Sequence, residues 1–205
     1  MVTEDLYSQL KNKNPRLRER AMGQIADERT EETIPQLMAI LDSEDVVYRR
    51  AAVQTLGWIG LDSVPSLVEQ LINSENETVR ASCAKALAAI ALNFPEDSFP
   101  PSALKALKVA LTDENPVVKI SAVGALGTVG PPAFEILAEA LKIDDLALQV
   151  ALINALGSLG DERGMSLLGA IAADESADPY LIESAKSALS RLEQVINYGK
   201  AGPSH

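Results

Sequence analysis

Tyr48-Arg49-Arg50-Ala51-Ala52-Val53-Gln54-Thr55-Leu56-Gly57 recurs in altered form along the chain. It returns as Val79-Arg80-Ala81-Ser82-Cys83-Ala84-Lys85-Ala86-Leu87-Ala88 and as Val118-Lys119-Ile120-Ser121-Ala122-Val123-Gly124-Ala125-Leu126-Gly127. Weaker copies begin at Leu17, Leu148 and Leu181, so successive starts lie 31, 31, 39, 30 and 33 residues apart. Counted from the leading apolar residue i, the pattern is usually basic at i+1, small at i+4, usually small at i+7 and apolar at i+8. Self-similarity at such a period marks a repeat architecture. The spacing puts the apolar and small residues on one helical face, where small side chains let a neighbouring helix come close. The stretch reads as a packing element, not a reaction centre.

Working outward, Thr33-Ile34-Pro35-Gln36-Leu37 precedes the second copy much as Ser63-Val64-Pro65-Ser66-Leu67 precedes the third. Proline near a helix start costs little, because that amide has no intrahelical acceptor. Each unit is therefore a helix pair whose second helix carries the pattern. The expected fold is all-α, a right-handed α-solenoid of about six helix pairs, single over residues 1–197 and without a domain boundary. A first helix is expected over residues 3–11, capped by Thr3 and turning Leu6 and Leu10 inward. Asn14-Pro15 and Asn115-Pro116 break the chain at equivalent places. The long interval of 39 residues holds an insertion at about 92–101, where three prolines and two phenylalanines predict a loop whose rings fold back on the stack. In the last helix Glu183, Lys186, Arg191 and Glu193 are placed as the polar outer face of a capping repeat. Residues 198–205 are expected to be a flexible tail.

Hydrophobic residues make up 47% of the 205 and aromatics only 4%, so the interior must be built from Ala, Leu, Ile and Val. The formal net charge of −11 opposes binding to phosphate backbones, which excludes a nucleic-acid partner. One cysteine allows no intramolecular disulfide, and the only histidine is His205, so His-based triads and His-rich metal centres are excluded. The opening Met1-Val2-Thr3-Glu4-Asp5-Leu6 runs into a charged helix pattern, and no apolar run has the length of a membrane span. A cytoplasmic protein is expected.

Units of the form V-R-x-x-A-x-x-A-L-G, preceded by P-x-L helices, resemble short HEAT repeats over nearly the whole chain. Chain size, acidity, the opening helix and the Tyr48-Arg49-Arg50-Ala51-Ala52 version of the motif resemble a narrower group. These are the cyanobacterial phycobilin lyases of the E/F type, particularly the small subunit-like members associated with phycoerythrin. The resemblance implies a cyanobacterial cytosolic protein that attaches linear tetrapyrroles to cysteines of phycobiliproteins, or that chaperones those proteins. It implies a phycobiliprotein subunit as partner, a second HEAT-repeat lyase subunit beside it, and a transiently held phycobilin with no intrinsic cofactor.

Gly124-x-x-Gly127-x-x-Gly130 superficially suggests a phosphate loop, but no strand precedes it. Gly57, Gly60, Gly157 and Gly160 recur in the same register, as expected of helix caps. Cys83 takes the small i+4 position, which predicts a buried, inert thiol rather than a transient bilin carrier. Arg18, Arg49, Arg80 and Lys119 at i+1 are expected to form a ladder with acids such as Asp42, Asp45 and Asp113. The face left for function is that of i+2, i+6 and i+10 on the second helices, expected on the concave side. In the second unit these are Arg50, Gln54 and Trp58, with Tyr48 nearby. Lys85 comes from the third unit, Asn154 and Ser158 from the fifth, and Glu19 and Asp27 from the first. An aromatic plane beside Arg50 and Lys85 suits a tetrapyrrole whose propionates need cations. It equally suits a protein partner.

Three functional classes follow. One is a subunit or chaperone of a phycobilin lyase, with no obvious acid or base and an obligate partner to supply what is missing. Another is a non-catalytic scaffold or adaptor for phycobiliproteins in assembly or degradation. The last is a stand-alone enzyme on this fold. A DNA glycosylase would need a basic groove, and an iron hydroxylase would need paired His-Glu motifs. Charge and the absence of internal histidine exclude it.

Overall fold

The computed structural model describes residues 4–95 and 98–201. Among these described residues twelve α-helices follow one another: α1 (Glu4–Gln9), α2 (Pro15–Asp27), α3 (Thr33–Ile40), α4 (Val46–Ile59), α5 (Val64–Asn73), α6 (Glu77–Asn93), α7 (Pro101–Ala110), α8 (Pro116–Val129), α9 (Phe134–Ala140), α10 (Leu146–Leu156), α11 (Arg163–Ala173) and α12 (Pro179–Ala201). No strand occurs among the described residues. As expected, α1 packs with α2, α3 with α4, α5 with α6, α9 with α10 and α11 with α12, and the fold is an all-α repeat fold. The chain divides into two compact units, residues 1–125 and 126–205, with the division inside α8.

The sequence sets where the second helices begin. Asn14, Asp45, Asn76, Asn115 and Asp145 each turn a side-chain oxygen onto amides of the first helical turn, at 2.8–3.4 Å. These donors have no intrahelical acceptor, and a cap of this kind contributes about 1 kcal/mol. Pro15, Pro116 and Pro179 open their helices at a position where a missing amide is harmless. Thr3, the expected cap of α1, lies outside the described residues.

The i+1 arginines close the loops that lead into these helices. Arg18 Nη1 donates to the Asn12 carbonyl at 2.6 Å, Arg80 Nη1 to the Ser74 carbonyl at 2.8 Å, and Arg49 Nη1 to the Ser43 carbonyl. Each satisfies a carbonyl six residues upstream that the turn leaves unpaired. Of the acidic partners expected for this ladder, only Asp113 takes the role. It receives Arg80 Nε at 2.7 Å and Nη2 at 3.0 Å, a bidentate pair. Asp45 is instead the cap of α4, and Asp42 accepts from the Asn76 amide. The cause is residue type: five residues before the leading apolar position of the next repeat stands Asp113 after Arg80, but Ser74 after Arg49 and Ser43 after Arg18.

The core is aliphatic, with Leu10, Ile25, Leu56, Leu87 and Leu126 fully buried. Leu6 is also buried, as expected of α1. Ala21, Ala52, Cys83 and Ala122, all at i+4, are at most 1% exposed. Small size there sets the interhelical distance.

Three expectations about the chain's ends and edges are corrected. Leu92, Asn93 and Pro101 belong to helices, so the described loop of the insertion is confined to residues outside them. Residues 198–201 continue α12, which runs through Gly199 to Ala201; residues 202–205 lie outside the described part. Arg191 does not face outward with Glu183, Lys186 and Glu193, but turns onto α10.

Candidate functional site

Two kinds of glycine in one register shape the space between second helices. Gly57 lies inside α4, and a Cβ there would stand 2.5 Å from the Ala89 Cβ of α6. Real carbons do not approach so closely, so glycine is what lets α4 and α6 meet. Gly60 follows the helix with φ +82°, a left-handed geometry that side chains resist. The cap expected of both glycines thus applies to Gly60, whereas Gly57 serves close packing.

Where α4 and α6 meet, a cleft of about 420 Å³ opens against α2. Gln54 and Trp58 of α4 form its middle, Arg18, Glu19 and Met22 of α2 one side, and Ala89, Leu92 and Asn93 of α6 the other. The Trp58 indole is half-buried and reaches over Gly23, whose ideal Cβ would lie 3.8 Å from the ring. Asn93 donates to the Gly57 carbonyl at 3.1 Å, tying the end of α6 to α4. Leu92 remains 71% exposed at the mouth. An apolar wall with one indole face and a few polar groups is the usual composition of a small-molecule site, and its volume falls within the range of about 300–1,000 Å³.

The residues named from sequence divide among several places. Gln54 and Trp58 share the cleft. Tyr48, at the other end of α4, lies under the Lys11 ammonium at 4.5 Å from the ring centre. Burial, and then the neighbouring Tyr7, push its hydroxyl above the ordinary tyrosine range. Arg50 is exposed on α4 and does not line the cleft. Lys85 lines a second, smaller cleft of about 260 Å³ with Arg49, Ser82 and Asn115. Asn154 belongs to the other compact unit and is engaged: Arg191 donates to its carbonyl at 3.2 Å and its Oδ1 at 3.3 Å.

Sequence reasoning missed Arg18, Met22, Ala89, Leu92 and Asn93. Arg18 sits at i+1, a register assigned to the ladder, yet it both closes its loop and lines the cleft. Ala89 repeats the i+10 position of Trp58, and only its small size signalled that the space beside the indole would stay open.

Burial leaves Cys83 no exposed surface and pushes its thiol up to about 12. It is a packing residue, not a nucleophile. Among the described residues, no group of three or more His, Cys, Asp or Glu side chains is arranged to hold a metal. Among them, too, no helix is long and apolar enough to cross a membrane.

The HEAT-repeat family pattern matches residues 3–88 and 103–190. A relative from Pseudanabaena tenuis (strain PCC 7409), the uncharacterized phycocyanin operon protein Z, is 49% identical over 199 residues, which are 97% of this chain and 98% of that one. This chain belongs to the HEAT-repeat family, in the group of phycocyanin operon protein Z. A further relative, the bilin biosynthesis protein CpeZ of Synechococcus sp. (strain WH8020), is 42% identical over 97 residues, 47% of this chain and 52% of that one. Among solved structures, a chain of the complex of CpcE and CpcF of phycocyanin lyase from Nostoc sp. PCC7120 matches with a TM-score of 0.50 and 20% identity. That match covers 74% of this HEAT protein and 95% of the other chain. Cex1p matches at a TM-score of 0.56 and 14% identity, over 98% of this chain and 44% of its own. The structural likenesses show the shared fold. With the named relatives, they bear out the resemblance to HEAT proteins of the phycobilin lyase type.

Proposed function

We propose that this protein is a component of a phycobilin lyase, and that the Trp58 cleft holds a linear tetrapyrrole for thioether attachment to a cysteine of a phycobiliprotein subunit. The observation that carries the reading is the cleft: an indole face, an amide at Gln54 and a guanidinium at Arg18 around an open slot. Conjugated pyrrole rings stack on indole, and propionates pair with arginine. The names of the phycocyanin operon and bilin biosynthesis relatives support the same ligand class.

In the attachment the client's sulfur bonds to the exocyclic carbon of the bilin's double bond. The thiol proton ends on the ring carbon that shared that bond, so the addition consumes no further reactant. Holding bilin and thiol together supplies the advantage of proximity. Cys83 is too buried to act as a way-station. A second HEAT-repeat subunit is the proposed source of any further group, in keeping with the two-subunit CpcE and CpcF assembly named among the structural matches.

The test is absorbance and fluorescence of the protein after co-expression with a bilin-synthesis pathway. A non-covalent, red-shifted chromophore that transfers to an added apo-phycobiliprotein is the expected result, and Trp58→Ala with Gln54→Leu abolishes it while helicity is kept. A colourless protein that still co-purifies with the phycobiliprotein makes it an adaptor or chaperone. A protein that binds neither overturns both.

A further inference from the structure

We infer that Phe94 is a positioning residue for the Trp58 cleft, and that the insertion after the third helix pair builds the cleft's far wall; this deepens, and rests on, the bilin-holding role proposed above.

The wall is an extension of α6. That helix has 17 residues, against 13 in α2 and 14 in α4, and its added turn carries Leu92 and Asn93. A helix end carries unsatisfied carbonyls and frays unless something holds it. Two attachments hold this one. The Asn93 amide donates to the Gly57 carbonyl at 3.1 Å. The Phe94 ring lies on Gly60, so closely that a Cβ on Gly60 would stand 2.7 Å from Cε2 and 2.8 Å from Cζ. Gly60 offers that notch because it has no side chain. Phe94 also ends the helix: its amide still bonds the Ile90 carbonyl at 3.0 Å, while φ −128° and ψ 60° turn the chain out.

Ring, notch and amide together fix the last turn of α6 opposite Trp58. Leu92, being 71% exposed, has little burial of its own to keep it there. The insertion therefore works as an anchor, with its aromatic residue on the preceding repeat and its helical extension along the cleft.

Trp58 is the chain's only tryptophan, so its fluorescence reports on this wall without any ligand. The experiment compares wild type, Phe94→Ala, Phe94→Leu and Asn93→Ala in far-UV circular dichroism, acrylamide quenching of Trp58 and titration with biliverdin as the linear tetrapyrrole. Phe94→Ala is expected to keep its helicity apart from one turn and to raise the quenching constant roughly twofold as that turn frays. It is expected to weaken biliverdin about tenfold. Phe94→Leu, which keeps apolar bulk in the notch, restores most of both, and Asn93→Ala shifts both in the direction of Phe94→Ala. Unchanged quenching in Phe94→Ala overturns the inference. If Phe94→Ala loses helicity throughout, the other two variants decide by the same readouts, and wild-type values in both overturn it. Altered quenching in a protein whose wild type binds no biliverdin sustains the wall and removes the bilin reading instead.

Discussion

The α4–α6 contact of the first unit and the α10–α12 contact of the second begin from the same device and end differently. In each, a glycine at i+9 lets an alanine of the next second helix come close: Gly57 meets Ala89, and Gly157 meets Ala188. In the first unit, i+6 and i+10 of α4 are Gln54 and Trp58, and they open onto Ala89 and the cleft. In the second, the equivalents Asn154 and Ser158 accept hydrogen bonds from Arg191, at i+10 of α12. A methyl leaves the space free; a guanidinium fills it with intramolecular hydrogen bonds. The size of one residue in the following repeat decides whether a register faces an open cleft or its own chain.

The shared part of the comparison can be broken first. Gly157→Ala brings a Cβ to 2.7 Å from the Ala188 Cα and carbonyl oxygen, which cannot move without the helix. It is expected to cost about 3 kcal/mol, at the upper end of overpacking. Gly57→Ala meets a methyl carbon, and a partial shift of α6 with the gain in helix propensity limits the loss to about 1–2 kcal/mol. Urea unfolding of both variants checks the order; equal, small losses would mean that the two helix pairs are not closely packed.

Exchanging the deciding residue sharpens it. Ala89→Arg copies the second unit into the first, and is expected to fill the cleft and weaken a linear tetrapyrrole at least tenfold, or about 1.4 kcal/mol. The converse, Arg191→Ala, removes three hydrogen bonds from partly exposed acceptors. It is expected to cost about 1 kcal/mol in thermal unfolding and to leave tetrapyrrole binding unaltered.

A smaller contrast lies in acid sensitivity. Burial pushes the Asp113 carboxyl up, but the Arg80 guanidinium, the Asn115 amide and Lys119 outweigh it, and the net direction is down. A carboxylate held below its unfolded value stabilises the fold above the unfolded pKa. That contribution is lost as pH falls through the folded value. Stability of the wild type is therefore expected to fall as pH drops below about 4, the ordinary aspartate range, and less steeply in Asp113→Asn. Urea midpoints between pH 6 and pH 3 provide the measurement.

The smallest effect is expected at Cys83. With its thiol at about 12, the thiolate fraction at pH 8 is on the order of 10⁻⁴. Cys83→Ala is expected to leave bilin transfer unaffected, and a thiol reagent to label the native protein only after urea is added. Prompt labelling of the folded chain would restore a carrier role.

The sequence by itself determined the class of fold, the number of helix pairs and the register of each helix, because these depend on local periods, caps and prolines. Asn14-Pro15 and Asn115-Pro116 announce helix starts whatever surrounds them. The inert Cys83 was legible for the same reason: i+4 is an interior position in every repeat. Gln54 and Trp58 were legible as a pair because i+6 and i+10 lie on one helical face.

Only the tertiary structure decided which register positions are free. Asn154 and Gln54 occupy the same place in their repeats, and nothing within either repeat separates them. The difference lies in Arg191 and Ala89, more than 30 residues further along. The cleft's far wall was likewise invisible as such. Proline content marked 92–101 as a loop, whereas Phe94 seated on Gly60 and Asn93 bonded to Gly57 hold Leu92 and Asn93 in helix. Periodicity reports which side of a helix faces inward. What fills the space beyond depends on side-chain volume contributed by another repeat.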